Sequence, residues 1–152
     1  MRRPAALSAP AAWTRRVAAA AALAASVACG DPSAPAAEPL PDGAVVLAPP
    51  VTYARWWQDV ERCSLHAGSF ARVHWYVVPD APYFEEGGEL YDAYWWRYDH
   101  RIVVAGAYLE DSLTVRHEML HDLVGRGDHP AVYFQHACAG VVRCNEYCQS
   151  GG

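Results

Sequence analysis

Hydrophobic residues recur at intervals of three and four positions in two stretches of the chain, and this spacing predicts two amphipathic helices. The first covers residues 52–64, and the second covers residues 113–124. Acidic and hydroxyl residues at 110–112 precede the second stretch and Gly125 follows it, as expected for a capped helix that ends at a glycine. The side chains predicted to face the core from these helices are Tyr53, Trp56, Trp57, Val60, Cys63, Leu113, Met119, Leu120 and Val124.

β-Branched and aromatic residues predict three strands. The first covers residues 71–78 and stops at Pro79. A loop at 85–88 leads to a second, exposed strand within residues 89–96, and a turn at 98–100 leads to a third at 101–105. One helix, a group of strands and a second helix predict an α+β domain with a small mixed or antiparallel sheet.

The first 28 residues have the pattern of an export signal. Arginines at the start precede an apolar run at residues 17–28, which is too short to span a bilayer core of roughly 30 Å. The run ends in Ser26-Val27-Ala28-Cys29, which resembles a bacterial lipobox, in which Cys29 becomes the acylated first residue. We therefore expect an exported protein of the bacterial cell envelope, lipid-anchored to the membrane; a plain signal peptide with an incidental cysteine is the alternative.

Composition divides the rest of the chain. Residues 29–50 are rich in Pro and Ala and predict a tether, and residues 51–152 predict one folded domain. The chain has 12 basic residues, all of them Arg, against 17 acidic ones. Four of the basic residues lie in the predicted signal, so the mature chain carries about −9, and nucleic acid is not an expected partner.

Four cysteines remain after Cys29, and their number agrees with export to an oxidising compartment. They are Cys63, Cys138, Cys144 and Cys148, which permit two disulfides in any of three connectivities. Free buried thiols and a second metal site are the alternatives. The oligomeric state cannot be derived from the sequence.

The clearest chemical signal lies on the second predicted helix, in His117-Glu118-Met119-Leu120-His121. Two histidines four positions apart project from one helix face, where both imidazoles can bind a single zinc ion. Glu118 lies beside that face and can accept a proton from a zinc-bound water, which would then attack a carbonyl. The alternative is a pair of surface histidines on a solvated helix.

The residues from Val115 to Leu123 resemble the zincin superfamily of HExxH metallopeptidases, and the chain is also similar to small bacterial lipoproteins with an HEMLH helix. The resemblance implies a zincin-like fold, in which an edge strand of the sheet lines a cleft above the helix, and it implies hydrolysis of peptide bonds. The candidate edge strands are those predicted at residues 71–78 and 101–105.

A catalytic zinc has three protein ligands and one open position. His129 is the expected third ligand, because it is neutral at pH 7 and a loop with two glycines carries it. Gly125 and His129 follow His121 at four and eight positions, an extended form of the metzincin spacing. Glu146, Asp128 and His136 are the alternative ligands.

Further side chains are candidates for supporting roles. Tyr133, His136 or His100 would donate to the oxyanion, and Asp122 and Asp128 would orient the imidazoles. The sequence thus predicts an exported zinc metallopeptidase that acts on a peptide or protein. The alternatives are a non-catalytic zinc-binding surface lipoprotein that serves as a binding module, and a disulfide-stabilised interaction domain without metal.

Overall fold

The computed structural model describes residues 38–144 and Cys148. The predicted signal, the lipobox Cys29 and the alternative ligand Glu146 lie outside the described residues. The elements in chain order are β1 (Val45–Val46), α1 (Val51–Ser64), β2 (His74–Val78), β3 (Phe84–Glu86), β4 (Glu89–Tyr91), β5 (Ala93–Trp96), β6 (Arg101–Ala105), α2 (Ser112–Val124) and a π-helical turn (Val132–Ala137). Short 3-10 turns occupy Phe70–Arg72 and Gly106–Tyr108. The α+β prediction is confirmed.

The main sheet has four strands in the order β1-β2-β6-β5. Strands β2 and β6 are parallel, whereas β1 and β5 run antiparallel to their neighbours. The predicted mixed sheet is therefore confirmed, but the predicted edge strands at 71–78 and 101–105 are wrong, because β2 and β6 lie in the centre. The edge strand next to α2 is β5. The prediction failed because the order of strands depends on pairing between distant segments, which local sequence patterns do not reveal.

The predicted strand at 89–96 also differs from the structure. It is divided into β4, which forms a separate hairpin with β3, and β5, which joins the main sheet. The prediction that this segment is exposed is wrong for β5, where Trp95 and Trp96 are buried. Two apolar layers explain this burial, since Trp95 belongs to a core between sheet and helices and Trp96 to a cluster on the other face.

Both predicted helices are confirmed. Asp111 is the N-cap of α2 and its carboxylate accepts hydrogen bonds from two backbone N–H groups of the first turn, while Gly125 ends the helix in the left-handed conformation. Met119 and Leu120 are fully buried in the main core. The prediction for Leu113 is wrong, since this side chain is 37% exposed at the start of the helix.

The folded part begins before residue 51, the predicted end of the tether. Val45 and Val46 pair with Val77 and Tyr76 of β2, and the carbonyl of Glu38 accepts a hydrogen bond of 2.7 Å from Arg101. Residues 38–46 make these contacts through their backbone groups, with the guanidinium of Arg101 as the donor to Glu38, and a composition poor in large apolar residues does not prevent them. The predicted tether boundary at residue 50 is therefore too late.

One disulfide joins Cys63, in the last turn of α1, to Cys138, directly after the π-helical turn. Among the described residues Cys144 carries a free thiol, and one of the two disulfides that the cysteine count permits is present. The bond fixes the segment after α2 to α1.

Among the described residues, no helix is both long enough and apolar enough to cross a membrane.

Candidate metal centre

Three histidines converge at the C-terminal half of α2. His117 and His121 lie one turn apart on the helix, and His129 comes from the loop that follows Gly125. The Nε2 atom of His117 lies 3.0 Å from the Nε2 atoms of both His121 and His129. The three ligand atoms lie within 4.8 Å of one another, so they can hold one metal ion. These are the three histidines that the sequence predicts as ligands.

Backbone carbonyls fix the orientation of the two helical imidazoles. Nδ1 of His117 donates to the carbonyl of Arg143 and Nδ1 of His121 donates to the carbonyl of Arg126, each over 2.6 Å. A carbonyl only accepts hydrogen bonds, so in each neutral ring Nδ1 carries the hydrogen and Nε2 carries a lone pair. The two Nε2 atoms lie 3.0 Å apart, and a cation bound by both would relieve the repulsion between their lone pairs.

The spacing fits a small metal ion. Zinc binds imidazole nitrogens at roughly 2.0–2.1 Å, which places the nitrogens of a tetrahedral site about 3.3 Å apart. The two Nε2 separations that involve His117, 3.0 Å each, are close to this value. The three ligand atoms, all within 4.8 Å of one another, could therefore hold a small metal ion.

Burial keeps these imidazoles neutral. It lowers the pKa of His117 to about 4, although the hydrogen bond to Arg143 opposes the change. It also lowers the pKa of His121 to about 3, with the neighbouring His117 as the next largest cause. The pKa of His129 is lowered by burial as well. All three rings offer a lone pair at neutral pH, as metal binding requires.

Phe134 covers one side of the cluster. Its ring centroid lies 5.0, 4.8 and 4.9 Å from the centroids of His117, His121 and His129, and the side chain is fully buried. A ring that is equidistant from all three imidazoles lies over the triangle they form. A fourth ligand of a bound ion would therefore approach from the opposite side. Sequence reasoning missed Phe134, because an aromatic residue in a short loop gives no distinctive signal.

Glu118 directly follows His117 on α2 and carries a buried carboxyl group. Its side chain is not one of the converging ligands, and the residue is only 7% exposed. The pKa of Glu118 is raised to about 8, mainly by burial and further by the negative charge of Asp92, while a hydrogen bond from the backbone of Trp95 opposes both effects. Its proton affinity is thus suited to proton exchange near neutral pH.

Arg143 ties the last described segment to the start of α2. Its carbonyl accepts the hydrogen bond from His117, and its guanidinium forms ion pairs with Asp92, at 3.1 Å, and with the N-cap Asp111. The guanidinium also lies over the ring of Tyr108. Sequence reasoning missed this residue, because it acts on the histidine through a backbone carbonyl, which every residue has.

The carboxylate of Asp122 accepts its hydrogen bonds from other groups than the three imidazoles of the cluster, so the predicted direct orienting contact is not seen among the described residues. Its carboxylate is fully buried and accepts hydrogen bonds from Arg72, from Nε1 of Trp95 at 2.9 Å and from Nδ1 of His100 at 2.7 Å. His100 is therefore engaged away from the metal centre.

The other predicted supporting residues lie outside the three-histidine cluster. Asp128 is exposed and pairs with the guanidinium of Arg126 instead of an imidazole. The ring of Tyr133 packs edge-on against His66, with centroids 5.0 Å apart. His136 is exposed. The negative charge of Asp128 nevertheless acts on the cluster, since it raises the pKa of His121 and of His129 against the larger effect of burial.

Comparisons of the chain with protein-family models, with curated proteins and with solved structures gave no match. The HExxH motif and the three converging histidines are therefore the features of this chain that indicate a function.

Proposed function

We propose that this protein is an exported zinc-dependent hydrolase, a metallopeptidase of the zincin type that cleaves peptide bonds. The observation that carries the proposal is the convergence of three neutral imidazoles, His117, His121 and His129, at the helix that also carries the buried carboxyl group of Glu118. Three nitrogen ligands are the number that a catalytic zinc site takes from the protein, with the fourth position kept for water or substrate.

Each residue has a defined role in this proposal. The three imidazoles hold the ion, and the carbonyls of Arg143 and Arg126 keep two of them in the required tautomer. A bound zinc ion supplies Lewis-acid activation of water and of the substrate carbonyl. Glu118 would accept a proton from the attacking water as the general base and pass this proton to the leaving amine, and its raised pKa supports the acceptance of the proton.

The position of β5 supports a peptide substrate. This strand is the sheet edge beside α2, and the backbone of Trp95 reaches Glu118. An extended peptide can add to such an edge through backbone hydrogen bonds, which would place a peptide bond near the ion.

The disulfide Cys63–Cys138 supports an exported protein, because stable disulfides form in oxidising compartments. We propose that the chain is held at the bacterial cell envelope by a lipid on Cys29, which makes the membrane its second partner after the peptide substrate.

The replacement Glu118→Gln tests the catalytic role. We expect hydrolysis of an unfolded protein substrate to fall by at least about 100-fold, because the general base is lost, while the zinc content stays unchanged. Glu85→Gln, at an exposed position, is the matched control and should keep full activity. Full activity of Glu118→Gln would refute the proposal, and loss of zinc from this variant would show that Glu118 holds the metal.

A specific observation favours a second candidate function. Glu118 and His121 are both almost completely buried, which is also typical of a structural zinc site. In that case the protein is a non-catalytic zinc-binding surface lipoprotein that acts as a binding module. Zinc-loaded, folded protein without any chelator-sensitive hydrolysis would support this candidate against the first.

A further inference from the structure

Trp95 contacts two of the groups that form the proposed active centre. Its indole ring lies parallel to the imidazole of His121, with an interplanar angle of 6° and centroids 5.9 Å apart. Its backbone makes the hydrogen bond to Glu118. The side chain is 6% exposed, so it is enclosed between the edge strand and α2.

The indole is itself held in place by a buried carboxylate. Nε1 of Trp95 donates to Oδ1 of Asp122, which also accepts a hydrogen bond from His100, while Oδ2 accepts two hydrogen bonds from Arg72. Both carboxylate oxygens are engaged, so Asp122 cannot turn without breaking several bonds. The orientation of the indole is therefore fixed by Asp122 on α2, which is itself held by Arg72 and His100 in the segments that precede β2 and β6.

Neighbouring Trp96 provides a contrast. It is buried in the apolar cluster on the opposite face of the sheet, where it packs against Tyr94 and the guanidinium of Arg101. Within the described part of the chain its indole N–H has no hydrogen-bond partner. The two adjacent tryptophans are thus similarly buried, but only Trp95 connects a proposed ligand to a fixed polar group.

We propose that Trp95 is a positioning residue for the metal centre. Its indole holds the ring plane of His121, and Asp122 acts on this imidazole by holding the indole in place. The hydrogen bond to Arg126 fixes one direction of the imidazole, and the flat indole limits rotation about the remaining axis. A ligand held in its binding orientation loses less freedom when it binds an ion. The inference rests on the proposed metal centre but does not require hydrolysis.

The test is a zinc affinity measurement by chelator competition on Trp95→Leu, Trp95→Phe and the matched control Trp96→Phe, with circular dichroism to verify folding. We expect Trp95→Leu to bind zinc about tenfold more weakly than the wild type, the effect typical of losing a residue that orients a ligand. Trp95→Phe keeps a flat ring but loses the hydrogen bond to Asp122, so its zinc affinity should lie between those of the wild type and Trp95→Leu. Trp96→Phe should bind zinc like the wild type.

A second readout is the visible absorption spectrum of the Co²⁺-substituted protein. Trp95→Phe should change the band positions, because the orientation of one ligand changes, whereas Trp96→Phe should leave them unchanged. If Trp95→Leu does not fold, Trp95→Phe decides the question. If Trp95→Phe had the same zinc affinity and the same cobalt spectrum as Trp96→Phe, the positioning role would be overturned and the metal centre would stand. Absence of zinc binding by the wild type would instead refute the proposed function.

Discussion

Burial has opposite effects on the two kinds of titratable group in the metal centre. It lowers the pKa of His117 and His121 and raises the pKa of Glu118, so in each case the neutral form is favoured. At neutral pH the centre therefore holds free imidazole lone pairs and a carboxyl group that retains its proton easily. A bound divalent cation would favour the ionised carboxylate, which links metal binding to the ionisation of Glu118.

The pKa of Glu118 predicts a pH-dependent stability difference for the metal-free protein. Between its ordinary value of 4.5 and the folded value of about 8, the folded state binds a proton that the unfolded state lacks. Stability contributed by this proton falls as pH rises through that range. The unfolding free energy of Glu118→Gln relative to wild type should therefore increase from pH 4.5 to 8, measured by urea denaturation.

His117 and His121 have the opposite effect on the pH dependence of stability, and they have it in the wild type and in Glu118→Gln. Unfolded imidazoles gain protons below about pH 6.5, whereas folded His117 and His121 do so only near pH 4 and 3. The wild type and Glu118→Gln should therefore both lose stability as pH falls below about 6.5. Because the loss is the same in the two proteins, it does not contribute to the difference between their unfolding free energies. A difference that stays constant from pH 4.5 to 8 would contradict the pKa assigned to Glu118.

At the scale of elements, α2 is the part that the sequence predicts best. Its cap Asp111, its end at Gly125 and the shared face of its two histidines follow from short-range patterns. The edge position of β5 and the contact of Phe134 with all three imidazoles could not be predicted, because they depend on pairing and packing between distant segments. The carbonyl acceptors for the imidazoles also lack a signal, since any residue can supply them.

The end of α2 gives a matched pair of glycine substitutions. Gly125 has a left-handed φ of +68°, whereas Gly127, in the same loop, is outside this region, and both have open space around the position of a Cβ. Gly125→Ala should lower the unfolding free energy by about 1 kcal/mol, and Gly127→Ala should not lower it. Denaturant unfolding measures both values; equal effects would show that the helix end does not depend on the left-handed residue.

At the scale of the whole molecule, two layers and one covalent bond hold the metal centre together. The main core lies between the sheet and the helices, and the disulfide attaches the end of the π-helical turn to α1. This turn carries Phe134, and His129 lies between the turn and α2. Residues 38–50 also belong to the fold, which their composition did not predict, because β1 joins the sheet through backbone pairing.

Removal of the disulfide should destabilise the protein. Cys63 and Cys138 are separated by 75 positions, and closure of a loop of this length in the unfolded chain is worth about 4 kcal/mol. The double variant Cys63→Ser/Cys138→Ser should lose a stability of this order in denaturant unfolding, whereas Cys144→Ser should lose much less. Equal stability of the double variant and the wild type would show that packing alone fixes the segment after α2.

The most direct test of the metal centre is an equilibrium zinc titration of the wild-type protein and of His117→Ala, His121→Ala and His129→Ala. His136→Ala is the matched control, an exposed histidine outside the cluster. We predict one zinc per wild-type chain and unchanged affinity for His136→Ala. Each of the other three variants should lose more zinc affinity than the roughly 10–100-fold that removal of a residue hydrogen-bonded to a metal ligand costs. Folded wild-type protein that binds no zinc, or His129→Ala protein that binds it like the wild type, would contradict the three-histidine centre.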